Sequence, residues 1–380
     1  MSGRNDSSRE RAGALLGVGL AGARLSELER RVLGERSPFA VVLFARNVES
    51  EEQLHALIAE VRAAAPVPPL FLIDEEGGRV DRLRSLVPGI LGASDFAIAG
   101  GTKQLRGFGA ALGQLLDHFT IEVNLAPVVD IQREGLSPSL TRRCFGDDPH
   151  VVSERALRFI EGMAEAGVAS CIKHFPGLGR AATDPHYGAS IVDMTLEELE
   201  TLDLVPYRQL AAVAPSVMVS HGVYPNVDAD ALPGTVSEAI ATRLLRETLG
   251  YGGLAIADDM EMHAVSGLAT SGEIAVRSIR AGIDLVLFCS RIEDVPGICD
   301  RIDEEASRDE RFATRVGEAV ARGVTFAATC ARLQSEKTRS RVELRVAAAA
   351  LGEISRQLRR AESDRDDDPR GGGDGRQEWT

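Results

Sequence analysis

One repeated alternation limits what this chain can fold into. Eight short apolar runs, rich in β-branched residues, recur along it: Leu15–Leu20, Ala40–Phe44, Leu70–Asp74, Val123–Val129, Val168–His174, Ser216–Ser220, Gly253–Asp258 and Ile283–Phe288. Amphipathic stretches with helical spacing lie between most of them. Runs that are apolar on both faces suit strands covered on both sides, as in parallel sheets. Ser26-x-x-Glu29 and Thr195-x-x-Glu198 read as capping boxes that open two of the intervening helices. Eight parallel strands with helices between them predict an α/β fold, a TIM-like (β/α)8 barrel.

A single barrel domain accommodates most of the 380 residues. Residues 1–334 are expected to form it, and 335–361 a C-terminal helical extension. Residues 362–380 are acidic and glycine-rich, with too little apolar surface to offset the entropy of ordering. A barrel also gathers the C-terminal ends of its strands on one face, where active sites are built. Asp74, Asp130, Lys173, His174, Ser220, His221 and Asp258 all fall at or just beyond such ends, so one shared site is expected there.

Charge narrows the partners. The chain carries 43 basic and 57 acidic side chains, a net charge of −14, which argues against nucleic-acid backbones and anionic membranes. Five scattered cysteines without a CxxC pair fit reduced thiols better than a disulfide or metal framework. Seven histidines include no HExxH, and no Cys/His cluster has ligand spacing, so no metal is expected. The polar N-terminus lacks a secretory core, and no apolar run is long enough to span a bilayer, which points to the cytoplasm. Gly17-Val-Gly19-Leu-Ala-Gly22 matches GxGxxG, but the next strand ends Ala45-Arg46-Asn47 without the acidic residue a dinucleotide ribose needs. No cofactor is expected.

Three motifs carry acids or imidazoles with two readings each. In Asp74-Glu75-Glu76-Gly77-Gly78-Arg79 the three carboxylates are either solvated, or Asp74 points inward to grip hydroxyl groups. Asp184-Pro185-His186, in a loop after Lys173-His174-Phe175-Pro176-Gly177-Leu178-Gly179, is either an Asx turn or a carboxylate that fixes an imidazole acid. Asp258, ahead of Asp259, can serve as nucleophile, as helix N-cap, or both.

Taken together these motifs resemble glycoside hydrolase family 3, in its NagZ-type β-N-acetylhexosaminidase group. The resemblance runs from about Leu15 to Ser290 through Leu43-Phe-Ala-Arg-Asn47, Ile73-Asp-Glu-Glu-Gly-Gly-Arg-Val80, Asn124-Leu-Ala-Pro-Val-Val-Asp130, Arg143-Cys-Phe145, Lys173–Gly179, Asp184-Pro-His186 and Leu249–Met260. It implies a retaining glycosidase with Asp258 as nucleophile, His186 as acid/base and Asp184 orienting it. Asp74, Arg143, Lys173 and His174 are implied to hold the terminal sugar. The implied substrate is a small carbohydrate with terminal β-linked N-acetylglucosamine, a cell-wall turnover fragment in which that sugar is β-1,4-linked to anhydro-N-acetylmuramic acid. Leu178, Pro185, Ala257 and Glu75 depart from the residues commonly found at their places. Two rivals stay open: a phosphorylase on the same fold, with phosphate replacing water, and a non-catalytic sugar-binding barrel.

Overall fold

A computed structural model describes residues 12–133, 138–179 and 190–366, the side chains of 361–366 excepted. All eight expected strands form: β1 (Leu16–Gly19), β2 (Ala40–Leu43), β3 (Leu70–Ile73), β4 (Val123–Asn124), β5 (Ala169–Phe175), β6 (Ser216–Val219), β7 (Leu254–Ala257) and β8 (Val286–Phe288). Their order is β7-β6-β5-β4-β3-β2-β1-β8, with every ladder parallel. The seam between β7 and β8 is joined by a parallel bridge from Ile256 to Leu285. The Ala257 amide also donates to the Leu285 carbonyl at 2.9 Å. The sheet is a (β/α)8 barrel.

Two expected strands are shorter than their apolar runs, for identifiable reasons. After Leu125, whose amide still donates to the Ile73 carbonyl at 2.8 Å, the chain leaves β3, and Pro127 has no N–H to give to a ladder. Pairing with β5, present from Val123 on, continues alone: the Val129 amide donates to the Lys173 carbonyl at 2.8 Å. Before β8, the amides of Asp284 and Leu285 both donate to the Ala255 carbonyl, so the chain is still converging there on β7.

The outer layer comprises α1 (Glu27–Arg36), α2 (Glu51–Ala64), α3 (Leu105–His118), α4 (Pro149–Glu165), α5 (Leu204–Leu210), a π-helical stretch over Ala239–Thr248, α6 (Ser271–Ala281) and α7 (Val295–Arg308). Both capping boxes form. Ser26 Oγ accepts the Glu29 amide while Glu29 reaches back to the Ser26 amide, and Thr195 and Glu198 repeat the arrangement.

Two hydrophobic cores result. One lies between strands and helices. The other fills the barrel with Ala40, Val42, Leu72, Val123, Leu125, Ala169, Met218, Leu254, Ile256 and Leu287. A 27-residue helix, α8 (Glu310–Glu336), contributes Phe326 and Cys330 to that inner core and so plugs the barrel floor. A last helix, α9 (Leu344–Asp366), buries Ala347, Leu351 and Leu358. The first two glycines of GxGxxG serve closure of the barrel. A Cβ on Gly19 would stand 1.9 Å from the Cys289 carbonyl oxygen, and one on Gly17 would stand 2.5 Å from the Leu287 side chain. The five cysteines are buried free thiols.

Candidate active site

The strand ends open into a cleft of about 510 Å³. It is lined by Asp74 from the end of β3, Arg143 from the loop after β4, Lys173 and His174 from β5, and Asp258 from the end of β7. Five of the seven side chains singled out in the sequence are therefore brought together. Asp184 and His186 lie outside the described residues.

The three consecutive acids take three different environments. Asp74 ion-pairs with the buried Lys173 ammonium and receives Arg82 at 3.3 Å. Glu76 accepts both Nε and Nη2 of Arg143, at 2.8 and 2.7 Å, and lies 2.6 Å from Lys173 Nζ. Burial alone would push Glu76 up, but the two cations outweigh it and hold this carboxyl well below the usual range. Burial works against the charge on Lys173 as well, and Asp74 and Glu76 reverse that, raising its affinity for a proton. The cluster is thus a fixed set of charges from which Asp74, Arg143 and Lys173 line the cleft while Glu76 backs them.

Glu75 turns the other way. It is fully buried and accepts the amides of Gly77, Arg82 and Leu83 at 2.7–3.1 Å. Burial and the neighbouring Asp81 push its carboxyl up to about 8. The turn that makes this geometry requires glycine. Gly77 has φ of 72°, and a Cβ there would stand 1.9 Å from the Leu91 carbonyl oxygen. By reversing the chain, the turn carries Arg79 and Arg82 over the mouth of the cleft.

His174 is held by Asp130, which accepts from its Nδ1 at 2.7 Å and from the Leu178 amide at 2.7 Å. The carboxylate fixes the ring through Nδ1 and leaves Nε2 3.5 Å from Arg143 Nη2. Leu178 lines the same wall.

Asp258 follows the last residue of β7, and one of its oxygens accepts the Asp259 amide at 2.9 Å. Burial disfavours its charge. His221, His174, the Asp259 amide and Lys173 together outweigh burial, so the carboxyl lies below its ordinary value. His221 is itself fixed, with Nε2 2.8 Å from the Asp259 carbonyl oxygen and Nδ1 2.7 Å from Thr235 Oγ1. Asp259 is the opposite case: burial, Glu261 and Asp258 raise it to about 7. Of two adjacent acids lining the cleft, Asp258 is shifted toward its charged form and Asp259 toward its protonated form.

Sequence reading placed Asp130 and His221 at the right face without a role, named Glu76 only as one of three acids, and missed Arg82. The doubled glycine after the acids was the available signal, since a turn there returns the chain onto the site.

The family model for the glycosyl hydrolase family 3 N terminal domain matches residues 9–324. A beta-hexosaminidase of Xylella fastidiosa (strain M23) is 36% identical over 289 residues, 72% of this chain and 83% of the relative. The glycoside hydrolase family 3 beta-N-acetylglucosaminidase from Paenibacillus sp. str. FPU-7 superposes with a TM-score of 0.84 at 28% identity, covering 92% of this chain and 68% of that one. The beta-N-acetylhexosaminidase from Beutenbergia cavernae DSM 12333 gives 0.78 at 27% identity, covering 85% and 98%. The barrel, its charged cleft and these likenesses agree: the chain belongs to glycosyl hydrolase family 3.

Proposed function

We propose that the cleft removes terminal β-linked N-acetylglucosamine by a retaining, two-step displacement with Asp258 as nucleophile. The observation that carries this reading is Asp258, its charged form favoured by the surrounding groups, sharing one cleft with Asp74, Arg143, Lys173 and His174. Asp258 attacks the anomeric carbon as the glycosidic bond breaks, through an oxocarbenium-like transition state, and a glycosyl ester forms. His186, oriented by Asp184, gives its proton to the departing oxygen and then takes one from the incoming water, which releases the sugar. Asp74, Lys173, Arg143 and His174 hold the sugar hydroxyls, so that binding energy positions the anomeric carbon.

The favoured substrate is a cell-wall turnover fragment. Arg79 and Arg82 at the mouth of an otherwise acidic protein suit an aglycone bearing carboxylates, as muramic-acid peptides do. Among the described residues no helix is long and apolar enough to cross a membrane, and a cytoplasmic place in recycling fits this substrate.

Incubation with a fluorinated N-acetylglucosaminyl donor should label Asp258 covalently, and Asp258→Ala should abolish turnover with the fold intact. Labelling of Asp259, or an inverted product, would overturn the assignment. Hydrolysis of an aryl N-acetylglucosaminide should proceed equally with and without phosphate. A sugar phosphate as the main product would favour the phosphorylase reading, and no turnover the binding barrel.

A further inference from the structure

Away from the barrel mouth, two histidines and a glutamate meet in the outer helical layer. Glu51 and His55 stand one turn apart on α2, so their side chains share a face, and His118 ends α3. His55 Nε2 lies 3.3 Å from His118 Nε2, and Glu51 Oε1 lies 2.7 Å from the same His118 nitrogen. Phe119 packs against both rings. His118 Nδ1 lies 3.0 Å from the Val342 carbonyl oxygen. A carbonyl only accepts, so Nδ1 carries a proton, and in the neutral ring Nε2 presents its lone pair.

Two imidazole nitrogens and a carboxylate oxygen then face one point, which calls for a cation there, either a proton or a metal ion. The distance between the two imidazoles suits a metal, because a tetrahedral ion with bonds of about 2.0–2.1 Å sets its ligands about 3.3 Å apart, while Glu51, at hydrogen-bond distance from His118, would move outward by a few tenths of an ångström to join it. Among the described residues, these three make up the one group whose ligand atoms all lie within 4.8 Å of one another. Imidazoles with one carboxylate select borderline transition ions over magnesium or calcium.

We propose that Glu51, His55 and His118 form a binding site for a divalent transition ion of the zinc class, with solvent completing the coordination. The bond from His118 Nδ1 to Val342 ties this site to the segment that leads into α9. Its ligands come from separate helices, with the two histidines 63 positions apart, so no short motif announces them.

The test compares metal-stripped full-length protein with His55→Ala, His118→Ala and Asp258→Asn, dialysed against zinc or cobalt(II). Wild type and Asp258→Asn should each bind one equivalent more than either histidine variant, and that equivalent of cobalt should show the intense visible bands of four-coordination. Zinc should raise the thermal midpoint of wild type but not of the histidine variants. Without metal, both variants should hydrolyse substrate at the wild-type rate, which shows that they fold. Equal uptake by all four proteins would overturn the site and leave His118 as a protonated bridge between Glu51 and Val342. If the alanine variants misfold, anomalous diffraction at the zinc edge on wild type decides instead: a peak among the three side chains supports the site, and peaks confined to the cleft refute it.

Discussion

A general acid matters in proportion to how badly the departing group needs a proton. His186→Ala should therefore slow cleavage of a natural disaccharide by about 10²–10⁴, the usual contribution of such catalysis. Glycosylation by a nitrophenyl glycoside, whose leaving group departs unaided, should lose far less. Asp184→Asn should follow the same pattern more mildly, and equal losses on both substrates would make His186 a binding residue. Glu75 makes a separate prediction. Its carboxyl is raised from 4.5 to about 8, so between those values the folded chain holds a proton that the unfolded chain has lost. That contribution is complete below the unfolded value and disappears as pH rises through the folded one. Glu75→Gln mimics the protonated form. In urea denaturation it should match wild type near pH 5 and exceed it near pH 9 by roughly 1–3 kcal/mol; no gain at the higher pH would mean that Glu75 is ionised in the fold. The residues legible in sequence were charged groups at strand ends, such as Asp258 and Lys173, whose place follows from chain direction alone. Glu76, His55 and His118 were not legible, because each owes its role to a partner supplied by a distant segment.

At the scale of elements, apolar runs and caps located all eight strands and the two capped helices, because both signals are local. The lengths of β4 and β8 depended on which neighbour each strand pairs with, and that is not local information. The same holds for the glycine motif of β1, where close approach to the Cys289 backbone decides what fits. Gly19→Ala should lower stability by about 1–3 kcal/mol or more, as overpacking does. Gly22→Ala, with nothing within 4 Å of its added carbon, should change little. Denaturant midpoints of the two variants check this, and equal midpoints would show that β1 yields without cost.

For the whole molecule, α9 is a removable layer whose docking carries measurable energy. Ending the chain at Lys337 withdraws Leu351 and Leu358, which are both buried, and each such leucine contributes about 1.5–3 kcal/mol. The thermal midpoint should fall markedly, whereas ending at Asp366 removes only the acidic, glycine-rich remainder and should leave stability and turnover close to wild type. An unchanged midpoint after the longer deletion would mean that α9 rests on the barrel without supporting it. The closing of the barrel bears on how the protein is made. Leu16 in the first strand finds its partner in Val286, and the floor beneath them waits for Phe326. A ribosome emits these groups near the two ends of its work, so β1 keeps a bare edge through most of synthesis. Nascent chains that meet during that interval can pair edge to edge, which makes the tempo of translation and the attention of chaperones part of what this sequence needs to fold.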